Sequence, residues 1–152
     1  METTEKSVEV LNDLIQINND RVKGFEHAIK ALEGKDADLQ AIFENGVNES
    51  NLNVQELSTA VTKLGGEPET GSGAGGSIHR AWLDVKATFS GHDRKSILDE
   101  CERGEDAIKR AYRDALAPDS GLTAEETTLV SRQEQDILAS HDRIKALRDS
   151  QL

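Results

Sequence analysis

Residues Cys101 to Tyr112 read CERGEDAIKRAY, and this stretch decides the fold because it sets an acidic residue where a helix should bury only apolar ones. Leu98, Cys101, Glu105, Ile108, Tyr112 and Ala115 recur at the three-and-four spacing of one helical face, so Glu105 points where its apolar neighbours point. A buried carboxylate without partners is costly, and Glu105 must therefore be hydrogen-bonded, protonated or bound to a metal. Asp93 is placed to cap this helix and Pro118 to stop it, which predicts a helix over 93–117.

The same spacing extends outward on both sides. Val8, Leu11, Ile15, Asn18, Val22, Phe25, Ile29 and Leu32 predict a helix over 4–33 closed by Gly34, with only Asn18 breaking the stripe. Asp36 is placed to cap a second helix over 36–64, whose inward positions Leu39, Phe43, Gly46, Ser50, Asn53, Leu57, Ala60 and Leu64 turn polar at Ser50 and Asn53. A tight turn at Gly34 makes these two an antiparallel hairpin and sets Asn18 opposite Ser50. Thr123 with Glu126 forms a capping box for a last helix over 123–150, with Val130, Gln133, Ile137, His141, Ile144 and Leu147 inward.

Residues 65–92 form a crossover far longer than the roughly 2 to 8 residues that join bundle neighbours, and it lets the second and third helices run parallel. It opens with the Gly-rich GGEPETGSGAGG, a flexible connection in which no phosphate-binding motif is present. A short helix over 77–90 follows, marked by Ile78, Trp82, Val85 and Phe89, with Trp82 packed on the bundle.

Composition agrees with an all-α chain: of 152 residues, 3% are aromatic and 31% charged. The net charge of -11 disfavours nucleic acid and anionic lipid as partners. Cys101 is alone, which excludes an intrachain disulfide and suits a reducing compartment; its ordinary role is that of a small buried apolar residue. METTEKSVEV carries no apolar run of signal length and no segment has the length of a membrane span, so cytoplasmic residence is expected.

Two hairpins joined by one long crossover is the ferritin-like arrangement. The stretches LGGEP (64–68), HRAWLDVKA (79–87), ECERGED (100–106) and SHDRIKALRD (140–149) resemble a bacterial family of uncharacterised ferritin-like four-helix-bundle proteins, over nearly the whole of residues 1–152 as a single domain. The resemblance implies a fold and no settled activity. Ferritin-like di-iron proteins carry a Glu on two helices and Glu-x-x-His on the other two. Here that pattern lands on Ser50 and Asn53 in the second helix, and the matching part of the first is Ile17-Asn18-Asn19, without a carboxylate. In the fourth, His141 as ligand leaves Leu138 where Glu belongs, while Glu134 as ligand leaves Ile137 where His belongs. His27, His79 and His92 are expected at the surface.

Two functions follow. The preferred one is a non-catalytic bundle with a degenerate metal site and no cofactor, in a structural or interaction role with a stress-related setting and a homodimer as its assembly. The alternative is a metal-binding protein or di-metal oxidoreductase holding iron or manganese on Glu105, Glu102, Glu134 and His141. The centre is expected to be a polar layer of Asn18, Ser50, Asn53 and Glu105, with amides and a hydroxyl as the donors to the carboxylate. Counted from a turn near Asp119, Glu105 falls level with Gln133 or Glu134, and His141 lies about 10 Å further at about 1.5 Å per residue, too far to share a metal with Glu105.

Overall fold

The computed structural model describes residues 2–69 and 94–150; the expectations for the helix over 77–90, for Trp82, His79 and His92, and for the Asp93 cap lie outside them. Among the described residues there are four helices and no strand: α1 Glu2–Leu32, α2 Ala37–Lys63, α3 Arg94–Ala115 and α4 Ala124–Asp149. Every end falls within two residues of the sequence expectation, the usual uncertainty of a frayed terminus.

The ends follow from local chemistry. Glu33 and Gly34 both take left-handed backbone, φ 52° and 77°, and the Lys35 N–H donates back to the Leu32 carbonyl at 2.9 Å, closing α1. Asp36 does not form the expected side-chain cap. Its backbone is left-handed, φ 54°, and its carboxylate accepts instead from Arg94 Nη1 at 3.0 Å, so a charge-assisted bond takes the oxygen that a cap would use. The expected box at α4 is present: Glu126 accepts from the Thr123 N–H at 3.3 Å and from the Thr123 hydroxyl.

Cross-helix bonds give the directions. Ser7 at the start of α1 donates to the Gly121 carbonyl beyond α3, whereas Arg21 further along α1 meets Glu105 nearer the start of α3, so α1 and α3 are antiparallel. Arg94 at the start of α3 reaches Asp36 and Asp38 at the start of α2, which makes α2 and α3 parallel. α1 packs on α2 and α3, and α4 on α3 and α2, leaving α2 and α3 on one diagonal. No described helix is long and apolar enough to cross a membrane.

The inward line of α1 is Leu11, Leu14, Asn18, Arg21, Phe25, Ala28 and Leu32, all buried at alternating steps of three and four. The expected stripe passed through Val22, which is half-buried, and missed Arg21. Phe25 stacks on Phe43 with ring centroids 5.6 Å apart. Gly46 makes room for it, since a Cβ there would stand 2.5 Å from the Phe25 ring. Arg21 lies over the Phe25 ring itself, its guanidinium carbon 5.2 Å from the centroid.

Candidate functional site

A fully buried arginine is the least expected feature of the bundle: Arg21 is 0% exposed, as is Glu105. Arg21 Nε donates to Glu105 Oε1 at 2.7 Å and Nη2 to Glu105 Oε2 at 3.2 Å, a two-pronged pairing that fits the planar guanidinium to the carboxylate. Nη1 donates to Glu49 Oε1 at 2.8 Å and to Ser50 Oγ at 2.9 Å. Burial alone would push the guanidinium toward its neutral form, but Glu105 and then Glu49 hold it above its ordinary value, so it stays charged. Burial raises the Glu49 carboxyl, with Arg21 pulling it back.

From Arg21 the hydrogen bonds run on with a fixed polarity, because arginine can only donate. Ser50 Oγ accepts from Arg21 and donates to Asn18 Oδ1 at 2.9 Å, and Asn53 Nδ2 donates to the same oxygen at 3.2 Å. Asn18 Nδ2 then donates to the Leu14 carbonyl and to the Tyr112 hydroxyl, both at 2.8 Å. The Tyr112 hydroxyl donates to Gln133 Oε1 at 2.7 Å. Burial pushes the Tyr112 phenol up, which keeps it a donor. The Asn18 amide thus uses two donors and two acceptor positions, and the chain of bonds draws side chains from all four helices into one layer.

Asn18, Ser50 and Asn53 lie together, but Glu105 receives no amide or hydroxyl donor among the described hydrogen bonds: Arg21 stands between the carboxylate and that group. The expectation of neutral donors is corrected accordingly. The register along α3 and α4 is corrected too. His141 Nε2 lies 2.6 Å from Asp106 Oδ1 and Tyr112 bonds Gln133, so the hairpin pivots near Thr123 rather than Asp119, and His141 sits beside the helical turn that carries Glu105. The reason is that the chain beyond α3 is drawn under α1, where Lys6 Nζ and Ser7 Oγ donate to the carbonyls of Asp119 and Gly121.

A second cluster lies on the seam between α3 and α4. Glu102, Asp106 and His141 each offer one ligand atom within 4.8 Å of the others, and they are the one such group among the described residues. Glu105 and Glu134 do not belong to it. Glu102 also pairs with Arg148 Nη1. Every buried carboxylate of ECERGED thus has a guanidinium: Glu100 has Arg103, Glu102 has Arg148 and Glu105 has Arg21.

The family described as a domain of unknown function, DUF2383, matches residues 6–118. The chain belongs to that family. Among curated proteins none matches the sequence. In structure, this DUF2383 chain is similar to a mutant of Mycobacterium smegmatis Dps1, with 10% identity, a TM-score of 0.79 and 97% of each chain covered. At that identity the likeness shows the fold, a ferritin-like bundle, and nothing of activity.

The ferritin-like fold raises the question of a metal pair at the bundle centre, and the donors there do not fit one. A cation pair needs bridging carboxylates and imidazoles facing one another. Here Glu105 faces a guanidinium at hydrogen-bond distance, and the adjoining side chains are Ser50, Asn18 and Asn53. Arg21 was illegible because inward helical positions are ordinarily apolar and an arginine is ordinarily at the surface. The signal that could have found it is the heptad itself, in which position 21 lies midway between Asn18 and Phe25.

Proposed function

We propose that this chain is a non-catalytic ferritin-like bundle in a structural or interaction role, in which a buried ion pair stands where relatives of the fold hold metal. The observation that carries the reading is Arg21, 0% exposed and doubly bonded to Glu105. A fixed positive charge there repels a metal cation and already satisfies the carboxylate that would bind it. Residues 1–152 act as one domain in the cytoplasm, as a homodimer with a stress-related role. The net charge of -11 supports the exclusion of nucleic acid and anionic lipid, and the lone buried Cys101 suits a reducing compartment. The test is addition of ferrous iron in air to untagged, chelator-treated protein, with ferric absorbance and oxygen uptake recorded. Rates equal to those of buffer are expected. Fast oxidation with two ions bound per chain, abolished by Glu105→Gln, would restore the oxidoreductase reading.

A further inference from the structure

The seam cluster has a geometry that the central layer lacks. Glu102 and Asp106 stand one turn apart on α3, so both carboxylates leave the same face, and His141 on α4 enters between them. Its Nε2 lies 2.6 Å from Asp106 Oδ1 and 4.0 Å from Glu102 Oε1. Ligands about 2.0 Å from a tetrahedral ion stand about 3.3 Å apart, a value that the two separations bracket, so small side-chain rotations would seat an ion among them.

The ring also has a carboxylate at each nitrogen. Its second nitrogen, Nδ1, lies 3.3 Å from Asp142 Oδ1, outside the cluster. The 2.6 Å contact with Asp106 places a proton on Nε2 before an ion binds, so an ion would displace that proton, and Asp142 can then accept from Nδ1–H. The ring itself has only 5% of its side-chain surface exposed, whereas Asp106 keeps 45%, so an ion could enter from solvent and retain water on its open side. Arg148 binds the other oxygen of Glu102, but its side chain is 28% exposed where Arg21 is 0%, so water screens its charge and it can turn away, while Oε1 stays on the His141 side.

We infer that Glu102, Asp106 and His141 form a binding site for a single first-row divalent cation, held by one imidazole nitrogen and two carboxylate oxygens and completed by water. Imidazole with carboxylate selects zinc, cobalt, manganese or ferrous iron over magnesium and calcium, which take oxygen donors. The site lies on the seam, apart from the Arg21–Glu105 pair, and stands whether or not the central layer is inert.

The experiment is calorimetric titration of the chelator-treated, untagged full chain with zinc chloride, with cobalt(II) visible absorption as an independent report of nitrogen and oxygen ligation. One ion per chain is expected, with excess magnesium failing to compete. Asp106→Asn, at a half-exposed position where folding is preserved, and His141→Gln each weaken binding at least tenfold, while Glu134→Gln leaves it unchanged. Absence of zinc binding at millimolar concentration, or binding that survives both ligand substitutions, would overturn the assignment.

Discussion

Replacing Arg21 by Met isolates what the central ion pair contributes. Methionine is unbranched and of similar reach, so little cavity is left beside Phe25, and the change is chiefly loss of charge and donors. Three acceptors lose a partner, but they are not equivalent. The Glu49 side chain is 27% exposed and turns to water, and Ser50 Oγ can still donate to Asn18. Glu105 is 0% exposed and keeps a bare carboxylate in an apolar surround of Leu98, Cys101 and Ile108. Removing one partner of a buried pair costs about 3–5 kcal/mol, and nearly all of it here falls on Glu105. For a chain of this length that corresponds to a fall in Tm of roughly 10 °C. Glu105→Gln is the milder lesion, about 1–3 kcal/mol, because Arg21 keeps Glu49 at 2.8 Å. Urea unfolding followed by circular dichroism should give these losses, and the double variant should lose about 1–3 kcal/mol less than the sum of the two. Arg21→Met within about 1 kcal/mol of wild type, or strictly additive losses, would refute the reasoning.

Further changes probe the layer and its surroundings. Tyr112→Phe removes the hydroxyl that accepts from Asn18 and donates to Gln133, leaving two buried groups short of a partner, and should cost about 1–3 kcal/mol in urea unfolding. Gly46→Ala would gain about 1 kcal/mol by helix propensity alone, yet its Cβ meets the Phe25 ring at 2.5 Å with Phe43 stacked beside that ring, so a net fall in Tm is expected; a rise would show that the ring can move. The Arg94 hydrogen bond holds the Asp38 carboxyl down to about 2 from an ordinary 3.8. A folded-state value below the unfolded one stabilises at higher pH, so the stability difference between wild type and Asp38→Asn should be full above about pH 4 and vanish toward pH 2, read as urea midpoints across that range.

The helices were legible because three-and-four spacing and end signals agree along each one, and the antiparallel hairpin at Gly34 correctly brought Asn18 and Ser50 together. The α3–α4 hairpin was harder. Its connection is held under α1 by Lys6 and Ser7, contacts between residues more than a hundred positions apart, and counting from the turn cannot register them. The same limit explains the seam cluster. Asp106 was not expected as a candidate, since its closeness to His141 depends on that shifted pivot. Asp36 failed as a side-chain cap for a related reason, because Arg94 reaches it from another helix.

Arg21 supplies the centre of the bundle with a cation that is covalently part of the chain. A bundle closed around an imported ion gains its stability by mass action, in proportion to how far the free ion exceeds its dissociation constant, and loses it when that ion is withdrawn. A guanidinium arrives once per polypeptide with translation, has no second valence, and keeps its charge at any physiological pH. Starvation for iron, or treatment with a chelator, therefore leaves the central layer of this chain intact, because the charge at its centre is set at synthesis.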